Sequence, residues 1–340
     1  MSAGLFGVGI AGPSLSDSER AILRAHPPYG VILFRRNLQD VAQTRALIEE
    51  LRAAGARFLL VDQEGGPVDR LSGVLAPSPS LQAAARGGAA RWLGELSGAS
   101  LALLGFDVDL APVVDRCAEG AGALVLGERC ASEKPHEVLQ AGKDFLEGLH
   151  ARGIGGCLKH FPGLGRARID THQAFPVLEP NLHEEALDLA PFDGLMHAAR
   201  AVMISHLGGP EGLPASLSPE RATRLLRDRL NFDGAAFSDD LEMGALDAFG
   251  DLPQRCAAAC AAGCDLLLVC RQIERYPECV AAVEASVSPE RRAEAAERLE
   301  AYAAHLTQLR AAAKEPPPSP ERLVAELGEL RTSLASNPTA

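Results

Sequence analysis

The chain has 340 residues, 47% of them hydrophobic and only 4% aromatic, enough apolar material for a large core built from small and aliphatic side chains. Its 45 acidic and 33 basic residues give a formal net charge of −12, which repels phosphate backbones, and no basic run marks a nucleic-acid or anionic-membrane surface. The amino-terminal stretch MSAGLFGVGIAGPSLSDSER lacks the charged start and unbroken apolar run of a secretion signal, and no window approaches the roughly 18 apolar residues of a membrane span. The expectation is a soluble, cytoplasmic protein without nucleic-acid or membrane partners.

Short apolar runs alternate with longer amphipathic stretches along the chain. The predicted strands are Leu5–Ile10, Val31–Phe34, Phe58–Asp62, Phe106–Leu110, Ile154–Lys159, Ala201–His206, Gly234–Asp239 and Asp265–Val269. Predicted helices lie between most of them, among them Val41–Ala54, Ala90–Leu104, His136–Arg152, Glu184–Arg200, Pro219–Arg229 and Leu252–Ala262. Alternation of this kind implies a parallel sheet, and eight units point to a closed (β/α)₈ barrel, for which about 250 residues plus insertions suffice. Residues 1–287 are read as this barrel. From Ser288 to Ala313 the sequence is rich in Glu, Arg and Ala, Pro316–Pro318 interrupt it, and Glu321–Leu334 resume a helical pattern. Residues 288–340 therefore read as two extra helices joined by a Pro-rich turn and packed against the barrel's outside. Little sequence remains for a second folded domain.

Eight cysteines raise the question of disulfides or zinc. Cys256, Cys260 and Cys264 recur at helical spacing in an Ala-rich stretch, and no C-x-x-C pair occurs. The cysteines read as small buried hydrophobes in a reducing compartment.

In such barrels the chemistry sits where strands end and the following loops begin. The third predicted strand ends in Asp62 and Glu64, and the fourth leads to Asp109 and Asp115. The fifth ends in Lys159 and His160, the sixth in His206, and the seventh in Asp239 and Asp240. One such residue alone would be a cap or a buried hydrogen-bonding group; five strand ends of the same kind point to a site. The loop KHFPGLGRARIDTHQAFP, residues 159–176, carries Gly163, Gly165, Pro162 and Pro176, so it is shaped and not helical. It delivers Asp170 and His172 two residues apart. A carboxylate that holds an imidazole fixes its tautomer, and a His so held can protonate a leaving oxygen and later activate water.

DQEGG with the following Arg70, LGER at 126–129, KHFPG with D-T-H, and FSDDL together resemble glycoside hydrolase family 3. The resemblance runs over residues 5–270 in order and is strongest to the family's single-domain β-N-acetylglucosaminidase (β-hexosaminidase) branch of peptidoglycan recycling. It implies Asp239 as nucleophile and Asp170 with His172 as acid/base dyad. Asp62, Arg70, Arg129, Lys159 and His160 are implied to hold the sugar's hydroxyls and 2-acetamido group, with His206 and Met243 near the bound sugar. No cofactor or metal is implied, and the implied partners are N-acetylglucosamine-terminated glycans such as muropeptides, met by a monomer. Retention of configuration through a glycosyl-enzyme follows from a nucleophile facing a proton donor. Many members take the donor carboxylate from a second domain; here the 163–176 loop is the expected source. Two positions depart from the family's usual pattern: Leu164 where a His is usual, and Pro67 where an Arg is usual.

Three other readings compete. A metal-dependent barrel hydrolase uses His and Asp at strand ends, but the first strand has no His. A Schiff-base aldolase uses a strand-end lysine such as Lys159, but leaves D-T-H, Arg70 and Arg129 unexplained. A catalytically impaired sugar-binding homologue fits Leu164, but not the retention of Asp239, Asp170 and His172.

Overall fold

The computed structural model describes residues 2–117, 125–171 and 175–336. The eight apolar runs form eight parallel strands: β1 (Phe6–Gly9), β2 (Gly30–Leu33), β3 (Phe58–Val61), β4 (Val108–Asp109), β5 in two segments (Gly155–Gly156 and Leu158–Phe161), β6 (Ala201–Ile204), β7 (Ala235–Asp240) and β8 (Leu266–Val269). Hydrogen-bonded order runs from the first segment of β5 through β4, β3, β2, β1, β8, β7 and β6 to the second segment of β5. Both ends of that order belong to one stretch of chain, so the sheet closes on itself as the expected (β/α)₈ barrel. Val8 shows the closure, pairing with Val31 on one side and Val269 on the other. All residues of β1, β2, β3, β6 and β8 are buried. A strand covered by side chains inside and helices outside has no wet face, which is why these segments read as continuous apolar runs and not as alternating ones.

The helices are α1 (Asp17–Ala25), α2 (Val41–Ala53), α3 (Leu81–Arg86), α4 (Ala90–Leu104), α5 (Pro135–Ala151), α6 (Leu182–Ala199), α7 (Leu252–Ala262), α8 (Tyr276–Ser286), α9 (Pro289–Ala312) and α10 (Pro320–Ser336), with Glu220–Arg229 wound more widely as a π-helix. Several of their starts are capped by side chains, as with Ser16 and Glu19 in a reciprocal box at α1, Asp40 at α2, Asn181 at α6 and Asp251 at α7.

Helix α9 crosses the end of the barrel where the strands begin. Tyr29, just before β2, donates to Leu299 O at 2.9 Å, and Tyr302 donates to Gly156 O at 3.0 Å. Asp265, fully buried before β8, accepts Arg291 Nη2 at 2.6 Å, Arg227 Nη2 at 2.7 Å and the Ala236 amide at 2.9 Å. Asp107, before β4, meets Arg310 of α9, Arg52 Nη2 at 2.8 Å and the Leu59 amide at 2.6 Å. The mouth opposite the site described below is thus closed by a helix bonded to the strand starts. Leu323, Leu327 and Leu330 of α10 are buried in the same core.

Six cysteines are free and buried, as expected, but Cys117 and Cys130 are not: they form a disulfide, with their Cα atoms 5.7 Å apart. A spacing of 13 residues carried no sign of that pairing, which depends on how the loop after β4 folds back.

Where α9 meets α5, the rings of His305 and His150 lie edge to face at 5.5 Å, and the Nε2 atoms of both are buried without a hydrogen-bond partner among the described residues. Burial, reinforced by His305, pushes the His150 imidazole down to about 4. An unfolded chain takes up a proton at His150 near pH 6.5, whereas the folded one does so only near 4, so stability is lost as pH falls through that window. The loss from this group is on the order of 2–3 kcal/mol. Urea unfolding of His150→Leu at pH 7.5 and 4.5 should show a smaller drop between the two than the parent; an unchanged drop would remove His150 from the acid response.

Candidate active site

The ends of β3 and β5 and the loop after β4 are joined by a run of buried charges. Lys159 on β5 places Nζ 2.7 Å from Asp62 Oδ1 and 2.6 Å from Glu64 Oε1, both just past β3. Arg129 grips Glu64 with both prongs of its guanidinium, Nε to Oε2 at 2.7 Å and Nη2 to Oε1 at 2.9 Å. The same Nη2 lies 3.2 Å from His160 Nε2, while His160 Nδ1 lies 2.7 Å from Asp115 Oδ2. A guanidinium can only donate, so His160 Nε2 accepts from Arg129 and the ring proton sits on Nδ1, donated to Asp115.

Arg70 completes this wall with Nη2 3.7 Å from Asp62 Oδ2. It is set by a short antiparallel hairpin, Gln63–Gly65 with Val68–Asp69, in which Gln63 Oε1 accepts the amides of Arg70 and Leu71 at 3.0 and 3.1 Å. Pro67 lies in the exposed turn of that hairpin, away from the charged groups.

Burial alone would push the Glu64 carboxyl up, but Lys159 and Arg129 outweigh it and hold the group far below the usual carboxylate range. Burial alone would push the Lys159 ammonium down, but Asp62 and Glu64 outweigh it and hold it above its ordinary value. Lys159 is therefore a fixed cation. A Schiff-base role needs a neutral amine, so this position does not suit that chemistry. Among the described residues no three His, Cys, Asp or Glu side chains converge as metal ligands.

The loop after β5 is held from several sides. Asp115 Oδ1 accepts the Leu164 amide at 2.6 Å. Asp188 on α6 accepts Arg116 Nε at 2.9 Å and Arg166 Nε at 2.5 Å. Gly165 passes so close to Arg116 that a Cβ would stand 1.7 Å from its carbonyl oxygen, so no larger residue fits. Asp170 and Thr171 reach the cleft wall, and Thr171 O accepts the Ala245 amide at 3.1 Å, tying this loop to the one after β7. His172 lies outside the described residues.

At the end of β7, Asp239, Asp240 and Met243 line the cleft. A strand pleat would turn Asp240 away from Asp239, but the pairing of β7 with β8 shifts register between Phe237 and Asp240, and both residues line the same cavity. Burial, with repulsion from Glu242 and Asp239 added, pushes the Asp240 carboxyl up to about 7. His206 is fully buried behind this strand end: Nε2 donates to Asp240 O at 2.8 Å and Nδ1 accepts from Ser216 Oγ at 2.7 Å.

The cleft consists of two adjoining cavities that share part of their lining. Asp62, Arg70, Met203 and Asp239 border both halves of it; Glu64, Arg129, Lys159, His160, Leu164 and Asp170 line one half, and Phe34, Arg36, Asp240, Met243 and Arg271 the other. Residues 7–308 match the family described as Glycosyl hydrolase family 3 N terminal domain. The chain belongs to glycoside hydrolase family 3. It is 38% identical over 277 residues to a β-hexosaminidase of Idiomarina loihiensis, covering 77% of this chain and 82% of the relative. A β-hexosaminidase of Pseudomonas aeruginosa is also 38% identical, over 269 residues, covering 77% and 80%. Among solved structures, NagZ from Neisseria gonorrhoeae in complex with N-trifluoroacetyl-D-glucosamine superposes with a TM-score of 0.80 at 27% identity, covering 98% of this chain and 96% of that one. A family 3 β-N-acetylglucosaminidase from Paenibacillus gives a TM-score of 0.88 at 29% identity, covering 98% and 68%.

Two members of this hydrolase's site had been seen only as strand-end acids. Glu64 is the hub that holds Lys159 and Arg129, and Asp115 sets both His160 and the base of the Asp170 loop. The signal was present for Glu64, two residues past the end of a strand and on the same side as Asp62. For Asp115 it is hidden by the five residues of chain between β4 and this side chain.

Glu64→Gln should leave two cations with one fewer carboxylate and loosen both. The expected result is a rise in KM with kcat/KM reduced roughly a hundredfold, the scale of an ångström-sized misplacement in a preorganised site. Steady-state kinetics on a chromogenic glycoside checks this; unchanged KM would mean that Arg129 and Lys159 hold their places without Glu64.

Proposed function

We propose that this family 3 hydrolase is an exo-acting, retaining β-N-acetylglucosaminidase that removes terminal N-acetylglucosamine from glycans such as muropeptides. The observation that carries the reading is that Asp239 and Asp170 border one cavity whose wall also holds Asp62, Arg70, Arg129, Lys159 and His160. Fixed donors and acceptors of this kind suit sugar hydroxyls and an amide, and the β-hexosaminidase names of the relatives agree with that class of substrate. We further propose that the enzyme is a monomer working without cofactor or metal; no helix among the described residues is long and apolar enough to cross a membrane.

In the proposed mechanism Asp239 attacks the anomeric carbon as His172, oriented by Asp170, protonates the departing glycosidic oxygen. The C–O bond breaks and a glycosyl ester of Asp239 remains. His172, now neutral, takes a proton from water; the hydroxyl adds to the anomeric carbon and the ester bond breaks, restoring Asp239 and giving the β-anomer. Met243 borders the sugar's position, and His206 acts from behind by holding the Asp240 carbonyl.

Two experiments test this. Asp239→Ala should lose turnover of a nitrophenyl N-acetylglucosaminide while still binding N-acetylglucosamine, and the parent's first product by NMR should be the β-anomer. Turnover retained in Asp239→Ala but lost in Asp240→Ala, or an α-anomer appearing first, would refute the assignment. His172→Ala should slow substrates with poor leaving groups far more than nitrophenyl substrates, whose departure needs little proton assistance, with a contrast of about 10²–10⁴-fold. Equal losses on both would give His172 a binding or shaping role.

A further inference from the structure

Two apolar clusters occur among the described residues. The large one is the barrel core with its helices; the small one lies beside the cleft and consists of Leu126, Cys130, Leu164, Ala167 and Leu207, with Cys117, Val125 and Leu178 packed at its edge. Its members come from three separate connections. Residues 117 and 125–130 follow β4, residues 164 and 167 follow β5, and Leu207 follows β6. Each has a functional neighbour along the chain. Arg129 precedes Cys130, Leu164 opens the loop that leads to Asp170, and Leu207 follows His206. Val125 and Leu164 also form part of the cleft wall.

The polar contacts of this region fix its edges, not its centre. The Cys117 amide donates to Ser132 O at 3.2 Å, and the Leu164 amide donates to Asp115. Between them the loop after β4 meets the loop after β5 through side chains, with the Cys117–Cys130 bridge at one side and Leu164, only 3% exposed, packed into the middle. A bridge removes conformations from the segment it closes, and an aliphatic side chain beside it completes a dry contact that a polar one would disturb unless partnered. The Leu at 164 is thus matched to the bridge.

We infer that the Cys117–Cys130 bridge and Leu164 are positioning residues, a disulfide-backed apolar pad that holds Arg129 and the base of the Asp170 loop in register across the cleft. The inference rests on the function proposed above. Arg129 must stay within about 3 Å of both Glu64 and His160 to keep its grip on them. Opening the bridge frees the backbone that carries Arg129, and cutting back Leu164 removes the apolar centre of the contact between the two loops, leaving only the polar contacts of Asp115 and Asp188 at its edges. Binding of the sugar weakens first, and the acid/base loop follows.

The test begins with thiols. Denatured without reductant, the protein should titrate six thiols, the number of free cysteines, and eight after a dithiol. The dithiol gives two electrons and two protons to the bridge, leaving Cys117 and Cys130 as thiols and itself as a cyclic disulfide. Kinetics on nitrophenyl N-acetylglucosaminide are then compared for oxidised and reduced enzyme. Reduction should raise KM and lower kcat/KM roughly ten- to a hundredfold while the native enzyme stays folded at the assay temperature by circular dichroism. The Cys117→Ser/Cys130→Ser double variant should start at the reduced value and ignore the dithiol. Leu164→Ala should raise KM in the oxidised enzyme, and Leu164→Met should restore most of the loss. Eight thiols before reduction would overturn the inference, as would kinetics indifferent to reduction, or a loss explained wholly by unfolding with KM of the folded fraction unchanged. An oxidised enzyme inactive on this substrate would refute the proposed function itself, and with it this inference; activity that reduction leaves untouched would refute this inference alone.

Discussion

A buried lysine is the constraint from which the site is built. Taking the Lys159 ammonium out of water costs several kcal/mol unless carboxylates meet it at close range. Asp62 and Glu64 do so at 2.7 and 2.6 Å. They stand at the end of β3, while Lys159 stands on β5 across the interior. Glu64 then needs a second cation to balance its own burial, and Arg129 arrives from the loop after β4. Three strand ends are thereby locked together before any substrate binds. Groups held this way do not reorganise when a ligand enters, which is what electrostatic preorganisation requires. The same lock decides what these residues do not do. Glu64 is kept ionised, so it cannot be the proton donor, and Lys159 is kept charged, so it cannot be an amine nucleophile.

The two ends of the barrel treat charge in opposite ways. At the strand starts, Asp107 and Asp265 are closed in by arginines and backbone amides, with α9 laid across them. Breaking such a buried pair from one side is strongly unfavourable, so these contacts fix α9 to the barrel. At the strand ends the acidic residues instead border a cavity. Stability is concentrated at one end and chemistry at the other, the division expected of this fold.

Much of this was legible in the sequence. Buried parallel strands announce themselves as apolar runs, and all eight were found because each is bounded by turns and helical patterns. Asp62, Arg70, Arg129, Lys159, His160, Asp170, Asp239 and Met243 stand out from strand ends and motif, and the fold brings all of them to two adjoining cavities. What stayed hidden depends on geometry that no local pattern encodes. Cys117 and Cys130 meet only because an irregular loop returns on itself. His206 follows a strand end, yet its ring turns behind β7 and serves the backbone of Asp240. Asp240 itself escapes the alternation rule, because a register shift breaks the pleat where the strand leaves the sheet. Helix α1 is not among the predicted elements although Ser16 and Glu19 spell its capping box, since its buried stripe is only one or two residues wide.

The register shift at the end of β7 leaves two neighbouring acids lining one cavity, and the physics of their surroundings separates their roles. An attacking carboxylate must be ionised. Burial and the charge of Glu242 push Asp240 up to about 7, so near neutral pH it is protonated for much of the time. Its Oδ1 already accepts the Glu242 amide at 3.1 Å, and its carbonyl is held by His206. Asp240 is thus engaged on the protein side of the strand end. While neutral, it also spares the cavity a second negative charge beside Asp239, which would otherwise weaken the attraction of the cleft for the electron-rich oxygens of a sugar. Asp239 Oδ1 accepts the Asp240 amide at 2.8 Å, a bond that orients the carboxylate. Two acids side by side on one strand end are in this way divided into a proposed nucleophile and a supporting group, and the buried imidazole of His206, which holds the Asp240 carbonyl, sets the backbone on which both depend.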